Sequence, residues 1–180
     1  YRVFDFPVDL ATQSPSQFVD AAVTNLFYHC NIYHDVLYEL GWDEAASNFQ
    51  DDNFGLGGIG GDRLSADGQD GSTVNNAQFF GSGSDGSSAR IQQYVFTGPT
   101  PDIDGGLDND VVYHEISHGL SIRLSGGTVS GSQSGGMGEG WGDYFGVALN
   151  AEPGDDPHGV YAMGGYATHM FSGLTDNYYY

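Results

Sequence analysis

The chain has 180 residues, with 24 acidic side chains against four basic ones and a formal net charge of −20. Its only cations besides histidine are Arg2, Arg63, Arg90 and Arg123, and 19 of the acids are Asp. Such a surface excludes a general nucleic-acid binder, which needs cations to release phosphate counterions, and a polybasic membrane contact. A hydrophobic content of 39%, with 14% aromatic, is enough to fill a core rather than leave the chain disordered. One domain, or a domain plus part of another, is expected.

Cys30 is the sole cysteine, so no internal disulfide forms, and it reads as a small buried hydrophobe. No apolar run reaches the roughly 20 residues of a membrane span, and no signal-peptide pattern is present. The sequence opens at Tyr1-Arg2-Val3 and closes on Tyr178-Tyr179-Tyr180; both ends look cut, and a longer precursor is expected.

After an extended start to Leu10, Ser14-Pro15 supplies an N-cap with Pro at the first helical position. Apolar residues recur at Val19, Ala22, Val23, Leu26, Cys30, Tyr33, Leu37 and Leu40. This predicts a packed helix of about 25 residues, stopped by Gly41. His29 and His34 are five apart, on different faces, and are read as structural.

The stretch Ser47 to Ser88 is rich in Gly, Asp, Asn and Ser. It contains Gly55-Leu56-Gly57-Gly58-Ile59-Gly60, but no apolar strand precedes it and Phe80 stands where a ribose-binding acid belongs. It is therefore expected to be a surface loop rather than a dinucleotide site. Val74 to Phe80 is expected to be a strand pairing with Arg90 to Phe96 across the turn Gly81 to Ser88. At a sheet edge, that strand offers backbone groups to an extended peptide. A glycine-rich stretch, Gly126 to Gly136, precedes a further helix from about Met137 to Asn150 and a Gly/Tyr-rich tail.

His114-Glu115-Ile116-Ser117-His118 is an H-E-x-x-H motif. On a helix, positions i and i+4 share a face, so both imidazoles reach one cation with Glu115 beside them. Val111, Val112, Leu120 and Leu124 supply an apolar stripe, Asp108 or Asn109 caps, and Gly126-Gly127 terminates. A catalytic zinc takes three protein ligands and an open position. Glu139, in Glu139-Gly140-Trp141-Gly142-Asp143, is a carboxylate on the following helix, 21 residues beyond His118. Asp143 lies on the same face and suits a bond to the other ring nitrogen of His114. The metzincin alternative fails, because Ser121 and Leu124 stand where Gly and His belong.

The stretches His114 to Gly127 and Gly135 to Phe145 resemble the fungalysin (M36) family of secreted zinc endopeptidases, its bacterial members most closely. Further likeness lies in Asn25-Leu26-Phe27-Tyr28, His34 to Tyr38, Asn75-Asn76-Ala77, Asp104 to Asn109 and, more loosely, Gly173 to Asn177. The resemblance implies an α+β, thermolysin-like (gluzincin) fold. A mixed α/β part with a long helix and an edge-strand sheet, residues 1–125, ends in the motif helix. Residues 126–180 begin a helical C-terminal part. It further implies His114, His118 and Glu139 as Zn2+ ligands, Glu115 as catalytic carboxylate, and Asn75, Asn76 and Ala77 at the substrate-binding edge. A secreted, extracellular zymogen is implied too, with peptide or protein substrates and its own pro-segment as inhibitor. In the wider group a Tyr and a His stabilise the tetrahedral intermediate; no motif here supplies them, and His158 and His169 are read as surface residues.

Three alternatives remain at this point. Asp102 to Asp110 resembles a calcium loop, with Asp110 and later acids such as Asp155 or Asp156 as Ca2+ ligands, although Tyr113 occupies the place of an EF-hand glutamate. The same acids equally serve as a polar helix entry favoured by the N-terminal dipole. A metal-stabilised binding module without turnover is the non-enzymatic rival. An aminopeptidase would need an amine-anchoring Gly-x-Met-Glu-Asn segment, which is absent.

Overall fold

The longest described element is the helix α1 (Val19–Glu39), whose buried side chains Ala22, Leu26, Tyr33 and Leu37 fall at helical spacing along one face. It is shorter than expected. Pro15–Gln17 form a separate 3-10 turn closed by a bond from the Ser14 amide to Gln17 Oε1 (2.8 Å), and Phe18 leaves helical geometry between the two. Gly41, with φ +99°, ends the helix, and Trp42 folds back so that its ring meets Tyr33 edge-on at 6.3 Å. The computed structural model describes residues 3–127 and 131–168. Arg2, His169 and the stretches Gly173 to Asn177 and Tyr178 to Tyr180 lie outside the described residues.

Two small sheets follow. The first has three strands in the order β1 (Leu64–Asp67), β3 (Ala89–Gln93), β2 (Ala77–Phe80). β1 runs parallel to β3 from Leu64 opposite Ala89, and β2 runs antiparallel to β3 from Ala77 opposite Gln93. β2 is thus an edge, as expected, but it begins at Ala77 rather than Val74. Asn75 adopts φ +57° and its side-chain oxygen accepts from the Thr97 amide at 2.7 Å, which breaks the extended run. The second strand also divides. After Tyr94 the short β4 (Val95–Phe96) leaves for β5 (Ile103–Asp104). β1 lies within the glycine-rich stretch expected to be loop; its alternation of Leu64 and Ala66 with Ser65 and Asp67 spans only four residues, and Leu64 and Ala66 pack against the core. The Gly55 to Gly60 segment forms turns and bends on the surface, with no strand leading into it.

The helix α2 (Asn109–Leu124) is capped by the Asp108 carboxylate, which accepts from the Asp110 amide. The next helix, α3 (Ser132–Asn150), begins five residues before the expected Met137 and takes Gly135 and Gly136 into its first turn. A short α4 (Gly165–Thr168) completes the described chain. α2 lies in the middle. Ile116, Leu120, Val112 and Tyr113 join Leu26, Tyr33 and Leu37 of α1 and Ile91 of β3 in one core, and Tyr33 Oη reaches Ser117 Oγ at 2.8 Å. Cys30 is half-buried against this core, and burial pushes its thiol up to about 12, so it behaves as a packing residue. The architecture is the mixed α+β one expected of a thermolysin-like chain.

Ile91 occupies the central strand and is fully buried. Truncation there leaves a cavity beneath α2, so Ile91→Ala should lower unfolding stability by about 2–5 kcal/mol. Urea denaturation followed by circular dichroism measures it; a loss below about 1 kcal/mol would contradict this core assignment.

Candidate metal centre

α2 and α3 pack antiparallel, and small residues let them come close. Gly138, Gly142 and Gly146 are buried at four-residue spacing on α3. A Cβ on Gly142 would sit 2.7 Å from His114 Nδ1, one on Gly146 2.9 Å from the Asp110 carbonyl oxygen, and one on Gly138 4.0 Å from His118 Nδ1. Each carboxylate of interest follows one of these glycines by a single residue, Glu139 after Gly138 and Asp143 after Gly142. The two acids therefore emerge beside the histidines of α2.

The resulting distances are short. Glu139 Oε2 lies 3.1 Å from His114 Nε2 and 3.7 Å from His118 Nε2. One donor atom from each of the three residues falls within 4.8 Å of the others, and this is the one such group of metal-ligating side chains among the described residues. Asp143 Oδ1 lies 2.8 Å from His114 Nδ1, which holds the ring with Nε2 turned toward Glu139. His114 and His118 are mostly buried, with side-chain exposures of 15% and 19%.

The electrostatics divide the two rings. Burial favours neutral His114, but the bond to Asp143 and the charges of Glu115, Asp143 and Glu139 outweigh it and raise its pKa. His118 is lowered, by burial first and then by His114. Glu115 is 6% exposed, and burial pushes its carboxyl up to about 7, with Glu139 adding to the rise and His114 opposing it.

The donor set fits zinc. Four ligands at about 2.0–2.1 Å around a tetrahedral ion stand about 3.4 Å from one another, and the two measured nitrogen–oxygen separations bracket that value. Two imidazoles and one carboxylate also match the chemistry of a three-ligand site with an open corner.

Glu115, Glu139 and Asp143 share a cleft with Asn75, Asn76 and Ala77, so the structure gathers all of the expected site residues except His118 along this one wall-to-wall opening. Of the three edge residues, Ala77 alone is in the strand. The cleft is completed by Phe96, Val111, Met163 and Gly164, which sequence reading had not included. Val111 was recognisable, three residues before His114 on the same helix face; Met163 and Gly164 lie far along the chain and carry no local signal. His29 bonds Tyr113 Oη at 2.6 Å and His34 bonds Gln50 at 3.1 Å, both apart from the cleft, and His158 is exposed. Around Asp110 the acids Glu152, Asp155 and Asp156 line a separate cavity. Asn150 donates to Asp110, the Glu152 amide to Asp155, and the His158 amide to Asp156. An apolar groove between α1 and β1, lined by residues such as Val23, Phe27, Leu64 and Ala66, lies elsewhere.

An α+β fold in which an H-E-x-x-H helix and a glutamate of the next helix face one point is the arrangement expected of a thermolysin-like chain. The chain belongs to the fungalysin metallopeptidase (M36) family, whose sequence model matches residues 1–180. It is 43% identical over 177 residues to "Probable extracellular metalloproteinase 4" of Arthroderma benhamiae, covering 96% of this chain and 27% of that protein. It is 42% identical to "Extracellular metalloproteinase 4" of Trichophyton soudanense, covering 45% of that protein, and of Trichophyton rubrum, covering 27%. The chain thus spans less than half the length of these curated relatives. All three are fungal, and the closer likeness to bacterial members finds no support among them. No helix among the described residues is long and apolar enough to cross a membrane.

Gly142→Ala should force the His114 ring off its bond to Asp143, because the new methyl meets three ring atoms at 2.7–2.9 Å. Affinity for zinc is expected to fall about 10–100-fold, read by competition with a chromophoric chelator; unchanged affinity would show that the helix contact does not orient the ligand.

Proposed function

We propose that this chain is the metal-binding region of a secreted zinc endopeptidase that hydrolyses peptide bonds in proteins. The observation that carries the reading is the meeting of His114, His118 and Glu139 donor atoms within 4.8 Å, beside a buried carboxyl at Glu115. Family membership and relatives named as extracellular metalloproteinases support it.

In this reading His114, His118 and Glu139 hold the ion. When bound, zinc polarises a substrate carbonyl and acidifies a water. Asp143 fixes the tautomer of His114 by accepting from Nδ1–H, which leaves the Nε2 lone pair free to ligate. Glu115 takes the proton of the attacking water on its carboxylate and passes it to the departing amine, a role worth roughly 10²–10⁴-fold. Its burial keeps bulk water from competing for that proton. Ala77 and the strand it opens hold the substrate backbone by strand addition, with Asn75 and Asn76 shaping the entrance. Residues 1–125 form one side of the cleft and residues from 126 onward begin the other. Synthesis as a zymogen, with its own pro-segment occupying the cleft, belongs to the same proposal. A stabilising calcium ion at Asp110, Asp155 and Asp156, which line one cavity away from the donor triad, belongs to the same proposal as an additional ion.

Glu115→Gln should keep zinc at one equivalent and lose at least about 10²-fold in turnover of a quenched peptide; equal turnover would remove Glu115 from the chemistry. His118→Ala should lose the metal, as measured by elemental analysis after dialysis. Peptide hydrolysis blocked by phenanthroline separates the enzyme from a metal-stabilised module, which would bind zinc and cleave nothing.

A further inference from the structure

At the far end of α2, five residues beyond His118, stands a fully buried arginine. The side chain of Arg123 has no exposure, and neither has that of Asp62, whose Oδ2 it meets at 2.9 Å. Arg123 also reaches Asp85 Oδ1 at 3.3 Å and donates to the carbonyl oxygens of Ser47 (3.2 Å) and Ser87 (2.7 Å). Its guanidinium lies 4.4 Å above the Phe49 ring. Asp62 in turn accepts from the amides of Gln50 and Gly86. One guanidinium therefore gathers three chain segments, and two of its partners, Asp85 and Ser87, belong to the turn that joins β2 to β3.

That turn is the outer end of the edge strand. β2 and α2 run side by side in the same direction and touch at successive levels. At the cleft, Asn75 to Ala77 face His114 and Glu115. One step on, a Cβ at Gly119 would meet Phe49 at 2.6 Å and Phe79 at 2.9 Å. At the far end, Gly83 comes so close to Gly127 and the Ile122 carbonyl that a Cβ there would sit 2.5–3.0 Å from them. Phe79 and Gly119 resist lateral movement, but smooth apolar contact does little against sliding along the shared axis. A geometrically fixed fork of hydrogen bonds does resist it.

We propose that Arg123, through Asp62 and Asp85, is a positioning residue that sets the axial register of the edge strand β2 against the metal-binding helix α2. It thereby fixes how far a peptide paired along β2 reaches toward Glu115 and the donor triad. The inference deepens the peptidase reading and rests on it. A strand's side chains and hydrogen-bonding groups alternate with every residue, so even a fractional slip of β2 misaligns each successive contact of an extended substrate. A substrate too short to pair along the strand is indifferent to it.

The experiment compares Arg123→Lys and Asp85→Asn with the unaltered chain, zinc-loaded, on an extended quenched peptide and on a blocked dipeptide amide. Arg123→Lys keeps the charge beside Asp62 but loses the fork. Asp85→Asn leaves the buried Arg123–Asp62 pair intact, so it addresses the register even if the lysine variant folds poorly. Both should retain zinc, raise KM for the extended peptide about tenfold or more, and change kcat/KM for the dipeptide amide by less than about twofold. Equal losses on both substrates, or no loss on either, would overturn the proposal. If the unaltered chain cleaves neither substrate, it binds metal without turnover by itself, and amide hydrogen exchange decides the register alone. Faster exchange confined to residues 77–88 in Asp85→Asn supports it; unchanged or uniformly faster exchange contradicts it.

Discussion

The close antiparallel contact of α2 and α3 is the constraint on which the site depends. Two helices with ordinary side chains between them stand 8–10 Å apart; here Gly138, Gly142 and Gly146 remove the side chains along the contact. Only at that separation do Glu139 and Asp143, each one residue past a glycine, reach His114 on both of its ring nitrogens. The cost is considerable, since six glycines lie within the nineteen-residue helix Ser132–Asn150, and each weakens a helix interior by about 1 kcal/mol relative to alanine. Packing against α2 must supply what propensity does not. Asn150 adds to it by donating to Asp110, one more turn along the same contact.

The same contact explains the unequal surroundings of the two motif histidines. Asp143 serves His114, and among the described residues no carboxylate bonds the second ring nitrogen of His118, so burial dominates there and lowers its pKa. A neutral ring is the form that ligates. Glu115 lines the same cleft one residue along α2, where burial pushes its carboxyl up to about 7. Neighbouring positions on one helix thus receive different chemistry from which side of the helix is covered, and by what.

Much of this was legible in the sequence because it is local. The H-E-x-x-H spacing and the four-residue interval from Glu139 to Asp143 follow from helical periodicity, and a cap at Asp108 or Asn109 follows from residue type; the pairing of Glu139 with the two histidines rested on the family resemblance as well, and the structure brings those three side chains together. The strand carrying Ala77 was readable from its apolar residues, though its start was not, since nothing local announces the left-handed turn at Asn75. β1 was missed because the alternation in Leu64-Ser65-Ala66-Asp67 is only four residues long and is set among Gly and Asp, so that its parallel pairing with β3 is what completes the strand. The early start of α3 was missed for the opposite reason. Glycine argues against helix by propensity, and tertiary contact overrode it. Arg123, Asp62 and Asp85 are far apart in sequence, and no local rule joins them.

The central claim is that two imidazoles and one carboxylate, supplied by α2 and α3, surround a single zinc ion. X-ray absorption spectroscopy of the zinc-loaded chain tests it most directly. The account predicts four nitrogen or oxygen neighbours at about 2.0–2.1 Å, an outer-shell pattern of two imidazoles, and an altered first shell in Glu139→Ala. A spectrum lacking two imidazoles, or one that Glu139→Ala leaves unchanged, would contradict it.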